Sequence, residues 1–149
     1  MAETHHDIHI LNSLTKTTLD SYRGFEDAAE DAKSSHFASL FSEFERDRSH
    51  VASLLQAEVQ RLGGTPETDS SIIGAAHRSF MRLKELFAER DDRAIINEVE
   101  RGEDHIKSKF EAALQDRDIS PSTRAVIEQA YSSVRAGHDR VSKLKHSLA

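Results

Sequence analysis

A carboxylate and an imidazole one helical turn apart, Asp47 and His50, lie in a stretch whose apolar residues recur at helical spacing. Side chains at positions i and i+3 point the same way from a helix. Asp47 interrupts the apolar stripe that includes Leu40, Phe44 and Val51. An ionised carboxylate inside a core is costly unless it has a partner. The pattern therefore predicts that other helices supply a partner for Asp47.

Further acidic and imidazole side chains fall at a similar depth on the other long helices. Counted at 1.5 Å per residue from the turn after the first helix, all lie roughly 12–22 Å down a four-helix bundle. The full predicted set is Glu26, Asp47, His50, Glu100, Glu103 and His138. Oxygen and nitrogen donors that converge in a core are ligands for iron, manganese or zinc. The spacing thus predicts a metal site in one layer of the protein.

Arg48 lies beside the same apolar face and offers a different partner. Its guanidinium can hold a carboxylate, that of Glu26 or of Glu103, through two parallel hydrogen bonds. Under this alternative the layer is a buried Arg–carboxylate–His network that holds the helices in register without a metal. Gly102, just before Glu103, is expected to let another helix or a ligand approach closely.

Hydrophobic periodicity predicts four long helices and one shorter helix to position these residues. Their ranges are 7–33, 37–62, 71–89, 93–115 and 122–147. Ser35 is the expected N-cap of the second helix, and Gly63 and Gly64 are expected to end it. Short turns make two antiparallel hairpins, and the long link between them returns along the bundle. The prediction is an all-α, up-down-down-up four-helix bundle with an additional helix in the crossover, as a single domain over 1–149.

Composition narrows the classes of partner. The chain has 149 residues, 31% charged and 37% hydrophobic, which is typical of a soluble helical domain. A net charge of −6 disfavours binding to nucleic acid or to an anionic membrane. There is no cysteine to form a disulfide or a thiolate ligand. Neither a signal-peptide apolar core nor a membrane-spanning stretch is evident, so a cytoplasmic location is expected.

Nearly the whole chain resembles the ferritin-like superfamily, and more narrowly an uncharacterised bacterial family of ferritin-like four-helix-bundle proteins. The resemblance rests on five segments: LDSYRGFEDAAEDA, LFSEFERDRSHVASLLQAEVQRLGG, GAAHRSFMRLKELF, INEVERGED and YSSVRAGHDRVSKLK. It implies a ferritin-like bundle that pairs as a homodimer. By position it implies ligands from each long helix: Glu26, then Asp47 and His50 in place of Glu-x-x-His, then Glu103 or Glu100, then His138.

Two departures from the superfamily pattern matter. Asp47 is one methylene shorter than glutamate, and Arg135 stands three residues before His138, where a second carboxylate is expected. A cation there weakens or removes one of two metals, so one metal, or a poorly occupied pair, is expected in place of a full di-iron centre.

Two functions follow from these residues. The first is a metal-binding ferritin-like bundle that handles iron or reactive oxygen at a degenerate carboxylate/histidine site, with manganese and zinc as alternatives to iron. The second is a non-catalytic helical stress or interaction protein with a structural Arg–carboxylate–His network and no metal. Both an enzyme and a non-catalytic protein are consistent with the sequence.

Overall fold

The structure is a computed structural model that describes residues 2–32, 34–69 and 75–147, without the side chains of residues 2–3 and 75–80. Within these ranges the chain is all-α and contains no strand. Its helices are α1 (Ala2–Asp31), α2 (Ser35–Arg61), α3 (Ala75–Glu89), α4 (Asp92–Leu114) and α5 (Pro121–Ser147). The predicted helical class is confirmed. Helix α1 begins before the predicted residue 7, and positions 71–74 of the predicted crossover helix lie outside the described residues.

Local capping interactions determine where the helices begin. Ser34, and not the predicted Ser35, is the N-cap of α2, because its backbone is extended and its Oγ accepts the N–H of His36 at 3.2 Å. Ser35 is already the first helical residue. Asp91 caps α4 through its side-chain carboxylate. Pro121 is the first residue of α5, a position where its missing N–H leaves no intrahelical bond unmade.

Two glycines end α2 and bring it against α1. Gly63 has a φ of +85°, in the left-handed region that favours glycine. Its N–H bonds to the carbonyl of Gln60 at 3.0 Å and the Gly64 N–H to that of Val59 at 2.9 Å, which together form a Schellman motif. A Cβ on Gly64 would lie 2.8 Å from Cδ1 of Ile8 in α1. The predicted stop at these glycines is confirmed.

The long helices pack as neighbours in a definite order. The most extensive contacts join α1 to α2 and α4 to α5, and further contacts join α2 to α5 and α1 to α4. Helix α1 barely touches α5. Among the described residues, α2 and α4 make no close backbone contact, so they face each other across the interior.

The core is divided into two apolar clusters by a polar layer. The first contains Phe25, Phe37, Leu40, Phe41, Phe44, Ile95, Ile96, Val99 and Val141. The second contains Leu11, Leu14, Val51, Leu55, Val59, Ile106, Phe110, Ile127, Ala130 and Val134. Along α2 the division falls between Phe44 and Val51, and along α4 between Val99 and Ile106. Arg48 and Glu103 lie within these two intervals and are both buried.

Helix α3 covers the first apolar cluster. It packs against α1 and α4 and contributes Leu83, Leu86 and Phe87 to that cluster. A helix is therefore confirmed over Ala75–Glu89, within the predicted range 71–89. Of the described helices, none combines the length and the apolar character needed to cross a bilayer.

Candidate functional site

An ion pair crosses the centre of the protein from α2 to α4. Arg48 Nη1 donates to Glu103 Oε2 at 2.7 Å, and Nη2 donates to Oε1 at 2.6 Å. Arg48 is 0% exposed and Glu103 is 1% exposed. Two parallel, charge-assisted hydrogen bonds are the strongest form of this contact, and they fix the distance and orientation of both side chains. The pair therefore holds α2 and α4 in register.

The rest of the Arg48 guanidinium contacts side chains of α1 and of its own helix, α2. Nη1 also donates to Ser21 Oγ of α1 at 3.0 Å. The rings of Phe25 and Phe44 lie 5.7 and 5.8 Å from the guanidinium carbon, within cation–π range. Burial alone lowers the pKa of Arg48, but the charge and hydrogen bonds of Glu103, with Asp47 adding to them, raise it overall. Arg48 is thus a permanent cation in the interior.

Helix α5 approaches this pair through a buried glycine. A Cβ on Gly137 would lie 2.8 Å from Arg48 Nη2, 2.9 Å from Phe44 Cε1 and 3.0 Å from Glu103 Oε1. Close approach had been predicted at Gly102, but that residue is exposed and a Cβ there would meet nothing within 4 Å. The predicted approach of another helix at Gly102 is therefore wrong for the described helices of this chain, because that residue faces away from them.

Asp47 and His50 lie further from the centre of the bundle than predicted. The structure leaves 33% of the Asp47 side chain exposed, with Oδ2 at 3.5 Å from Arg48 Nε, which is long for a hydrogen bond. His50 is exposed. Asp47 is thus partly buried, with its Oδ2 enclosed, and it lies at the edge of the apolar stripe because Arg48 occupies the middle.

The remaining predicted ligands each have a local partner. Glu26 accepts from the hydroxyl of Tyr22, one turn earlier in α1, at 3.2 Å. Glu100 accepts from Lys145 Nζ at 2.8 Å. His138 is within 2.6 Å of Asp104 through Nε2, and 16% of its side chain is exposed.

The six predicted ligands do not form a coordination shell in this structure. Among the described residues, one group of three His, Asp or Glu side chains has its ligand atoms within 4.8 Å of one another, and it includes none of the six: His6, Asp116 and Asp118. Arg48 and Glu103 meet in a buried layer at the predicted depth, while the imidazoles of His50 and His138 lie outside that layer. Metal binding by the six residues stays a prediction.

A second polar cluster, which the sequence reasoning missed, lies where α1 and α5 begin and α2 ends. Asp7, 2% exposed, accepts from the Ser120 N–H and the Thr123 hydroxyl, both at 3.1 Å. Glu58, 5% exposed, accepts from Arg61 at 2.6 Å, and its Oε2 lies 3.2 Å from the same hydroxyl, whose single hydrogen is shared between the two carboxylates. Carboxylates at a helix N-terminus are stabilised by its unpaired N–H groups and its dipole. The cluster fastens α1 and α2 to the start of α5.

A signal for this cluster was present in the sequence. Asp7 precedes Leu11 and Leu14 by four and seven positions, and Glu58 follows Val51 and Leu55 by seven and three. Both acids therefore fall on the buried stripes of their helices.

Replacing Glu58 by Gln is expected to destabilise the protein at neutral pH and to flatten its pH dependence. Hydrogen bonds from Arg61 hold the pKa of the Glu58 carboxyl below its ordinary value of 4.5, against the opposing effect of burial. A carboxyl with a depressed folded-state pKa contributes stability above its unfolded pKa, and this is lost as the pH falls through the folded value. Urea unfolding from pH 7 to pH 3 measures the difference. Glu128→Gln, at an exposed position of α5, is the control; an equal effect there would contradict this prediction.

The helical fold and the buried ion pair place the chain in a structural class, that of all-α proteins whose core contains a buried Arg–Glu pair. A family described as a domain of unknown function (DUF2383) matches residues 6–116. The chain belongs to this family. The matched range includes Arg48 and Glu103 and ends before α5, which supplies Gly137. No curated protein matches the chain.

Proposed function

We propose that the chain is a ferritin-like four-helix-bundle protein whose central layer is structural, and that it acts by binding other molecules and not by catalysis. The observation that carries this proposal is the Arg48–Glu103 pair, since both oxygens of the buried glutamate accept hydrogen bonds from the guanidinium.

The order of helix contacts supports the bundle. Neighbours along the chain, α1/α2 and α4/α5, form hairpins, while α2 and α4 occupy one diagonal and α1 and α5 the other. A long crossover with its own helix α3 joins the two hairpins. These are the relations expected of an up-down-down-up bundle with one long crossover, the connectivity of ferritin-like folds.

The charge at the centre supports the absence of a central metal. A buried guanidinium supplies the positive charge that a divalent ion would otherwise bring to Glu103, and its permanent charge repels a second cation at short range. His50 is exposed, and His138 is turned to Asp104. The donors around the layer therefore do not fit a metal in their present arrangement.

Metal loading of matched variants tests this function. Wild-type, His50→Ala and His138→Ala chains are incubated with Fe²⁺ without oxygen, or with Mn²⁺ or Zn²⁺, then desalted and assayed for metal per chain. All three chains are expected to retain the same amount of metal. In a separate assay with oxygen present, ferrous iron is expected to give no oxygen consumption above the protein-free rate. Loss of one equivalent in His138→Ala, or protein-dependent oxygen uptake, would overturn the proposal in favour of a metal centre.

A further inference from the structure

Imidazole and carboxylate donors from two separate segments meet at the end of the protein where α1 begins. His6 comes from α1, and Asp116 and Asp118 come from the turn between α4 and α5. His6 Nε2 lies 2.8 Å from Asp116 Oδ2. One ligand atom from each of the three residues lies within 4.8 Å of the other two.

We propose that His6, Asp116 and Asp118 form a binding site for a divalent transition-metal ion of the zinc class. One imidazole nitrogen and two carboxylate oxygens are donors that zinc accepts at about 2.0–2.2 Å, so donors of one tetrahedral ion lie about 3.4 Å apart. The ligand atoms of the three residues now lie within 4.8 Å of one another. Because the Asp118 side chain is exposed, small rotations of it can bring its oxygen to about 3.4 Å from the other two donors. Three protein ligands leave a fourth position for water.

Buried contacts next to the site fix its two halves relative to each other. Asp7, adjacent to His6, is held by the Ser120 N–H and the Thr123 hydroxyl. The start of α1 and the turn carrying Asp116 are thereby anchored before any ion binds. A preorganised donor set costs less conformational entropy on binding than one assembled from mobile side chains.

The electrostatics of the turn favour a cation at Asp116. The Asp118 N–H donates to Asp116 Oδ1 at 2.8 Å, which orients the carboxylate so that its other oxygen, Oδ2, faces His6. The neighbouring cation Arg124 donates to backbone carbonyls, those of Leu114 and Asp116. Its hydrogen bonds thus leave the carboxylate oxygens of the turn available to the ion.

His6 lies in a short histidine-rich stretch of the first helix. His5, His6 and His9 place three imidazoles within five residues of the first helix, and short His-rich tracts are typical metal-binding segments. His5 and His9 are both exposed. In the proposed site the ion is held by His6 with the two aspartates, and the other two imidazoles are not required. This division makes the proposal testable.

Zinc titration of the full chain by calorimetry, with free Zn²⁺ as the probe, tests the site. The wild-type chain is expected to bind one equivalent, and His6→Ala and Asp118→Asn are each expected to weaken binding at least tenfold. His5→Ala and His9→Ala are the matched controls and are expected to bind like the wild type. Circular dichroism without metal checks that every variant is folded; Asp118→Asn, which changes an exposed side chain by one atom, keeps the test valid if His6→Ala is not.

Each other outcome counts against the site. Absence of saturable binding overturns it, and so does an equal loss in the His5 or His9 variant, which would indicate an adventitious solvated tract. Hydrogen exchange supplies a second readout, because a bound ion should slow exchange in the first turns of α1 in the wild type but not in Asp118→Asn. Failure here is distinct from failure of the proposed function, which is tested by metal loading of the His50 and His138 variants.

Discussion

Replacing Glu103 by Leu is expected to lower the free energy of unfolding by about 3–5 kcal/mol, because it leaves the buried Arg48 charge without its main partner. Arg48→Met should cost a similar amount by leaving the carboxylate of Glu103 buried and unpaired. Urea unfolding at pH 7 measures both effects. Removing both charges together should recover most of the loss, because apolar side chains of similar volume commonly replace a buried pair at little cost.

The double variant therefore completes a thermodynamic cycle in which the coupling energy belongs to the pair. An exposed ion pair on α3, Arg82 with Glu85 at 3.3 Å, is the control; Arg82→Ala should cost less than about 1 kcal/mol. Single substitutions at the central pair that cost no more than this control would contradict a structural role for the layer. The proposed function would then lose its main support.

The depth of the polar layer could be predicted from the sequence, because helical rise converts residue number directly into distance along the bundle. The two core clusters part at Arg48 on α2 and at Glu103 on α4, within the predicted layer. The alternative in which Arg48 holds Glu103 through two hydrogen bonds is confirmed by their geometry. What depth alone does not give is the direction in which each side chain points.

The direction of each side chain is predicted from the position of the centre of the buried stripe. A small error in that position changes which residues are predicted to face the interior. Successive residues turn by about 100° around a helix, so Asp47 and Arg48 cannot both point to the middle of the buried face. Arg48 follows Phe44 by four positions and precedes Val51 by three, which is the middle of the stripe. His50, about 200° further on, must then face outward. The sequence alone does not decide between the two, because arginine and aspartate are both almost never fully buried unless paired, and the partner of Arg48 lies on another helix.

The glycine in α5 is the third part of the layer, and its identity depends on tertiary contacts that the sequence does not reveal. Gly102 and Gly137 both occupy helix interiors. In either helix alanine is favoured over glycine by about 1 kcal/mol when nothing opposes the added methyl group. Only contact with other helices distinguishes them, and those contacts lie at Gly137 alone of the two.

Gly137→Ala is accordingly expected to destabilise the protein by about 1–3 kcal/mol, because its Cβ overlaps the Arg48 guanidinium, the Phe44 ring and the Glu103 carboxylate. Gly102→Ala, the matched control, should instead raise the free energy of unfolding by up to about 1 kcal/mol. Denaturant unfolding of the two variants isolates the steric term, since the gain in helix propensity is common to both. Equal effects would mean that α5 does not approach the pair closely. In the background lacking both charges, the Gly137→Ala penalty should shrink, because two of the three crowded atoms are then gone.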